Sequence, residues 1–351
     1  MHPAQKASRS ALDTAWTRIF SNGLTPKKEE LLRHLFNDTD SLEKRQFTRI
    51  HNLILGVALG DLDTELFHYT THQIDTVDST GRTPLSWASA RGDIASVQKL
   101  LHHGANPNIA SACGMSPLHF AVRPASHRCI TPLLSSGAKV DAQTNWLQTP
   151  LHHAAAYKDD PRFLEALIDS GADVNARDLD GNTPLGCATL SNHAASAAFL
   201  LAHGADIDSQ DLKGWTALLD AVDTNNHDVL RLLLLQGADI TLALKTGDTV
   251  LHRAAERGDV ATMEILSTAG VGGVDVHAKN GDGFTARDLF EKREYAVPEL
   301  RPAFEQLEMS CMSGVGEATT SRAEEESPGE NDEDGERGGY FVDAVEYQIE
   351  D

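Results

Sequence analysis

The sequence is poor in cysteine. Its four thiols, Cys113, Cys129, Cys187 and Cys311, are scattered through 351 residues. None forms a C-x-x-C pair, so neither a zinc site nor a disulfide framework organises the chain, and a reducing compartment is expected. Long apolar runs are also missing. No stretch approaches the ~20 residues that a membrane-spanning helix needs. The opening "MHPAQKASRS" has no apolar h-region, which predicts no secretory signal. Basic charge is short as well: 30 Lys+Arg stand against 52 Asp+Glu, a net −22. Such a chain is repelled by phosphate backbones and anionic bilayers, which argues against nucleic-acid or membrane-surface binding. Together these absences predict a soluble intracellular protein, cytoplasmic or nuclear. Catalytic signatures are absent too. The sequence holds no H-E-x-x-H, P-loop, G-x-S-x-G or strand-borne G-x-G-x-x-G.

What is present is a repeat. Hydroxyl-led quartets begin at Thr83, Ser116, Thr149, Thr183, Thr216, Thr249 and Thr285, in steps of 33, 33, 34, 33, 33 and 36 residues. A second marker keeps the same beat. Gly-Ala recurs at Gly104, Gly137, Gly171, Gly204 and Gly237, and Gly270-Val271 continues it. One unit reads "GRTPLSWASARGDIASVQKLLHHGANPNI". Thr83-Pro84 supplies a hydroxyl N-cap and an N1 proline. Leu85 and Ala88 form one apolar stripe; Val97, Leu100 and Leu101 form the buried face of a second helix. A single pair cannot bury such faces, so the units must stack and their ends need covering.

This pattern resembles the ankyrin repeat, with its 33-residue period and T-P-L-H signature. The resemblance covers roughly residues 46–293. It implies an all-α ankyrin-repeat solenoid of helix-turn-helix units with short β-hairpin-like loops. The expected organisation has five parts. Residues 1–45 form a helical cap, and a degenerate first repeat covers about 46–79. Full repeats fill about 80–279, followed by a truncated repeat at 280–293 and a closing helix at about 298–310. The lead-in at residues 47–67 is similar to ankyrin proteins of filamentous fungi. Residues 311–351 form an acidic tail. From residue 317 onward it holds 13 acidic and 2 basic side chains, a net −11, and it is expected to be disordered. Its end, residues 340–349, is apolar, with Tyr340, Phe341, Val345 and Tyr347 as a candidate tethered ligand.

Sixteen histidines raise the question of metal or catalysis. His119, His152 and His252 occupy the fourth position of the quartet, where the resemblance implies a structural bridge between neighbouring turns. Adjacent His152 and His153 point in different directions from a helix and cannot share one ion. "GVGGVD" follows a helix rather than a strand, and "RDLDGN" lacks the rest of a calcium loop. The reading is a non-enzyme with no metal, cofactor or small-molecule substrate.

The family binds proteins through its hairpin tips and the concave face of its first helices. Mapped onto this sequence, that face gathers Trp87, Arg91, Phe120, Arg123, His153, Tyr157 and Lys158. An aromatic and basic set in an acidic protein predicts an acidic, partly apolar protein partner, of unknown identity, and an adaptor or scaffold role. The alternative is a regulatory or targeting subunit of an enzyme or transcription factor. Its tail would dock intramolecularly as an autoinhibitory element, or promote degradation. The tail resembles those of ankyrin-type inhibitors of Rel transcription factors. One turn breaks the pattern. In "TNWLQT", Leu147 stands where Gly81, Gly114, Gly181, Gly214, Gly247 and Gly283 stand elsewhere, beside Trp146. Trp146 is either a binding anchor or a local compensation for the missing glycine.

Overall fold

A computed structural model describes residues 48–54, 62, 66, 71–123, 127–270, 272, 274–293 and 298–313. The helices expected before residue 46 and the acidic tail from residue 314 onward, with its apolar end, lie outside the described residues, while residues 311–313, expected to open the tail, belong to the last helix. The described residues form helices and turns, with no strand. No helix among them is long and apolar enough to cross a membrane.

The helices pair in chain order. α1 (Arg49–Ile54) and the short α2 (Thr71–Ile74) precede α3 (Pro84–Arg91) and α4 (Ile94–His102). Then come α5 (Pro117–Ala121) with α6 (Ile130–Ser135), and α7 (Pro150–Tyr157) with α8 (Pro161–Ile168). α9 (Pro184–Leu190) and α10 (Ala194–Ala202) are followed by α11 (Ala217–Thr224) and α12 (His227–Leu235). The stack ends with α13 (Val250–Arg257), α14 (Val260–Ala269), α15 (Ala286–Glu291) and α16 (Leu300–Ser313). The odd-numbered helices from α1 pack side by side as one row, and the even-numbered helices from α4 form the row behind.

Each first helix starts where a hydroxyl can cap it. Thr83 is extended and its Oγ1 accepts the Ser86 amide at 3.1 Å. Ala217 and Val250 replace the N1 proline in two repeats, yet those helices begin in register. The hydroxyl therefore sets the start. Leucine and alanine at fixed offsets then build the core. Ala88, Ala121, Ala154, Ala188, Ala221 and Ala254 are all 0–2% exposed, and their small size lets the first helices approach closely. The flanking leucines, such as Leu85, Leu100, Leu118 and Leu151, are fully buried, each contributing about 1.5–3 kcal/mol. α16 closes the far end. Phe304 stacks on Phe290 at 4.4 Å, Glu308 pairs with Arg287, and Leu300, Leu307 and Cys311 are buried.

Histidines couple successive repeats. His119 Nδ1 accepts the Ser116 amide at 3.1 Å, while its Nε2–H donates to the Gln148 carbonyl of the next tip at 3.0 Å. His152 does the same toward Asn182 and His252 toward Phe284. His51 reaches Arg82 in the same way. Ser86, Gly186 and Leu219 hold this position in the other repeats, so the clamp is unevenly distributed along the stack.

The tips form their own row. Backbone amides of Ala112, Asn145, Leu179 and Leu212 each donate to a carbonyl of the preceding tip, at 2.8–3.1 Å. Gly114 shows what the glycine slot requires. Its φ is +81°, and a Cβ there would lie 2.6 Å from the Asn145 amide nitrogen. Leu147 keeps the same left-handed backbone, at φ 58°. The turn is thus strained rather than reshaped. Thr144 holds it by accepting the Trp146 and Gln148 amides on its Oγ1, both at 3.2 Å. The extra residue of this repeat sits elsewhere, in the helix-to-helix loop between Tyr157 and Pro161. Leu147 is 40% exposed, so glycine would sacrifice little burial. Relief of about 1–2 kcal/mol of backbone strain outweighs the extra freedom glycine gives the unfolded chain, about 0.5–1 kcal/mol. Leu147→Gly should therefore stabilise the stack by about 0.5–1 kcal/mol. The readout is a higher urea midpoint at unchanged slope.

Candidate interaction surface

The residues that the sequence brings forward separate into two groups. Trp87 and Phe120 are 2% and 1% exposed. The Trp87 indole N–H donates to the Asp78 carboxylate at 3.0 Å. The Arg82 guanidinium lies 5.0 Å from the Trp87 ring and 4.6 Å from the Phe120 ring, capping both. These two aromatics fill space between repeats and form the floor of the first-helix face. Arg91 is half-buried; burial lowers its affinity for a proton, and the nearby Asp93 partly restores it.

The second group is exposed or only thinly covered. Tyr157 is 37% exposed. Arg123 sits 4.6 Å from its ring and donates from Nη2 to its hydroxyl. His153 stacks under Tyr157 at 5.6 Å and meets His119 edge-on at 5.2 Å. Lys158 is exposed at the end of α7, 3.9 Å from Asp160. Arg123, His153 and Tyr157 thus converge on one spot between α5 and α7, while the Lys158 ammonium turns toward Asp160 and the Phe163 ring of α8. His153 is 8% exposed, and neither ring nitrogen has a hydrogen-bond partner. Burial, then the fields of His119, Arg123 and His152, hold it well below the ordinary histidine range.

Farther along the same row the sign of charge reverses. Asp220 on α11 is pushed up to about 7 by burial, with Asp211 and Asp223 adding to the effect. Asp223 is paired with Arg253 and lies 3.5 Å from Arg257. Cys187, at the same register on α9, is also driven up, to about 12, first by burial. Its thiol is neutral and unreactive at neutral pH.

Sequence reasoning missed a run of exposed leucines at the tips. Leu147, Leu179 and Leu212 stand on three consecutive hairpin tips and are 40%, 55% and 61% exposed. Trp146 is half-buried beside them, and its carbonyl accepts the Leu179 amide at 2.8 Å. The signal was available. The residue after the first tip position runs Ser79, Ala112, Asn145, Leu179, Leu212, Lys245, so reading the tips as an adjacent row brings Leu179 and Leu212 into one register, and Leu147 joins from the glycine slot two residues on.

The comparisons agree with this geometry. The family model for ankyrin repeats matches three times, at residues 53–144, 118–211 and 151–243. A putative palmitoyltransferase ZDHHC13 of Danio rerio is 37% identical over 120 residues, which are 34% of this chain and 19% of that protein. The ankyrin repeat protein nuc-2 of Neurospora crassa is 39% identical over 110 residues, 30% of this chain and 10% of that one. The similarity thus reaches a fifth or less of each relative's length. Among solved structures, the human ASB11 ankyrin repeat domain superposes with TM-score 0.56 at 27% identity, covering 65% of this chain and 98% of that one. The ankyrin repeat domain of Bcl-3 gives 0.54 at 28%, covering 65% and 100%. Repeats of this kind are generally protein–protein interaction modules. The chain belongs to the ankyrin repeat family.

Proposed function

We propose that the chain is a protein-binding adaptor whose contact face runs over the tips of the middle repeats and the adjoining α5–α7 surface. The apolar ridge of Leu147, Leu179 and Leu212 carries this reading. Consecutive exposed leucines on one edge, beside a half-buried tryptophan, form the kind of patch that soluble proteins keep for a partner. Tyr157 and Arg123 extend it with the residue types most enriched at binding hot spots. The partner chemistry that fits is an apolar segment carrying acidic residues, because Arg123 and Lys158 stand at the ends of α5 and α7 away from the tips, a helix length from the leucines.

The test places negative charge on the ridge. Leu179→Glu with Leu212→Glu should leave the unfolding curve within about 0.5 kcal/mol of the parent, since both side chains are largely exposed. Affinity for the main captured partner should fall by at least about thirtyfold, the loss expected of a hot spot. Leu235→Glu is the control. Leu235 is 82% exposed on the second-helix row, and its substitution should leave capture unchanged. Loss of capture in the Leu235 variant with retention in the ridge variant would reverse the assignment.

A further inference from the structure

The cluster between α5 and α7 contains a feature that contact with an apolar segment does not explain. His153 is more than nine-tenths buried and neither ring nitrogen has a partner, although every other quartet-adjacent histidine on this row is fully bonded. An unpaired buried polar group costs about 1–3 kcal/mol, so the closed arrangement is held at an energetic disadvantage. The groups acting on the ring are all basic. His119 and Arg123 come from α5, and His152 from its own helix. Carboxylates Asp141 and Asp178 act on His152 and not on His153. Asp160 at the start of α8 is engaged by Arg162 at 2.8 Å, and Cys187 on α9 is neutral. Burial keeps the His119 and His153 rings neutral at neutral pH, so the positive charge beside the orphaned nitrogens is the Arg123 guanidinium. Its cover is Tyr157, whose ring lies over His153 and whose hydroxyl is held by Arg123.

We propose that Arg123, His153 and Tyr157 form an anion subsite that receives a carboxylate side chain of the bound partner segment. The incoming carboxylate takes the Arg123 guanidinium in place of the Tyr157 hydroxyl. The Tyr157 ring moves aside, and a ring nitrogen of His153 is opened to the carboxylate. The imidazole, neutral in the closed form, takes up one proton from solvent and donates it in a hydrogen bond to the bound oxygen. The defect of the closed form is removed, because the orphaned nitrogen gains a charge-assisted partner. This inference rests on the reading that α5–α7 belongs to the contact face, and it adds the chemistry of what is read there.

The experiment uses the full-length chain without any partner, so its outcome is separate from that of the ridge substitutions. Sodium acetate is titrated at constant ionic strength while the ring proton resonances of His153 are followed by NMR, assigned by comparison with His153→Gln. A saturable shift of the His153 signal is expected. The affinity should weaken as pH rises, by up to about tenfold per pH unit, because binding takes up a proton. Arg123→Gln should abolish the shift and Arg231→Gln, on the opposite row, should leave it intact. Three results would overturn the proposal. The first is no saturable shift, which would make His153 a buried ring only. The second is equal acetate affinity at pH 6 and pH 8. The third is a response to inorganic phosphate with none to acetate, which would replace the carboxylate by a phosphoryl ligand.

Discussion

Asp220→Asn should stabilise the stack by about 3–4 kcal/mol at pH 8 and by little at pH 4. The reason lies in where α11 places this carboxyl. Asp220 borders a cavity of about 10 Å³, roughly one water in size, that it shares with Asp211, Trp215 and Asn182. Burial raises its proton affinity to about 7 from the ordinary 3.8, and Asp211 and Asp223 push in the same direction. An acid raised in the folded state binds its proton more tightly there than in the unfolded chain. Stability is therefore greatest at low pH and is lost as pH climbs from 3.8 through 7, at about 1.4 kcal/mol per pH unit. Asparagine keeps the shape and cannot ionise, so the penalty disappears only where it exists. Urea unfolding of parent and variant at pH 4 and pH 8 measures the difference. A constant difference across that range would show that Asp220 is not buried as a neutral acid. Asp223 provides the opposite case. It is compensated by Arg253 and Arg257, and its removal would leave Arg253 without its principal partner.

The period, the capped helix starts and the alanine stripe were all legible in the sequence, because each depends on residues close in the chain and recurs in at least six successive units. Leu147 was legible as an exception for the same reason. The glycine slot around it set the expectation of a positive φ, and the turn keeps it at 58°. Other features depend on neighbours one repeat away, and there the sequence was silent. Trp87 and Phe120 occupy the position that His153 and Asp220 occupy in later repeats, and the same slot gives a buried filler or a strained polar group according to what stands across from it. Arg82 covers Trp87 of its own unit and also Phe120 of the next, and the second contact is one that no pattern within one unit reveals. His153 looked like half of a histidine pair. Its orphaned nitrogens follow from His152 taking the carbonyl of the next tip, leaving the second imidazole facing only basic neighbours. The leucine ridge arises across three units and is invisible within any one.

His119→Ala should cost about 3 kcal/mol at pH 7 and should remove part of the protein's acid sensitivity. The His119 ring is fully buried and does two jobs at once. It accepts the Ser116 amide at the start of α5 and donates to the Gln148 carbonyl of the following repeat. Alanine leaves the buried Ser116 amide and the Gln148 carbonyl without this partner, each a loss of about 1–3 kcal/mol, and opens a cavity beneath His153. The preceding interface has Ser86 at this position and lacks the clamp, and α5 packs less extensively on α7 than on α3, so the His119 bond is a large part of the forward joint. In a stack whose stability is a sum of units and nearest-neighbour interfaces, the loss concentrates at one joint. Hydrogen exchange should therefore accelerate in α3 and α5 before it does in α13. The pH dependence gives a second readout. Burial, only partly offset by the Gln148 bond, lowers the His119 pKa to about 4, against 6.5 in an unfolded chain. A depressed histidine contributes stability above pH 6.5 that is lost as pH falls toward 4, here about 3 kcal/mol. The His119→Ala stack should lose that much less on acidification from pH 7 to pH 4. Measuring both curves in the Asp220→Asn background isolates this slope from the opposing one of Asp220. An unchanged slope would mean that the His119 imidazole takes up its proton in the folded protein as it does in the unfolded chain, and is not buried there as a neutral ring.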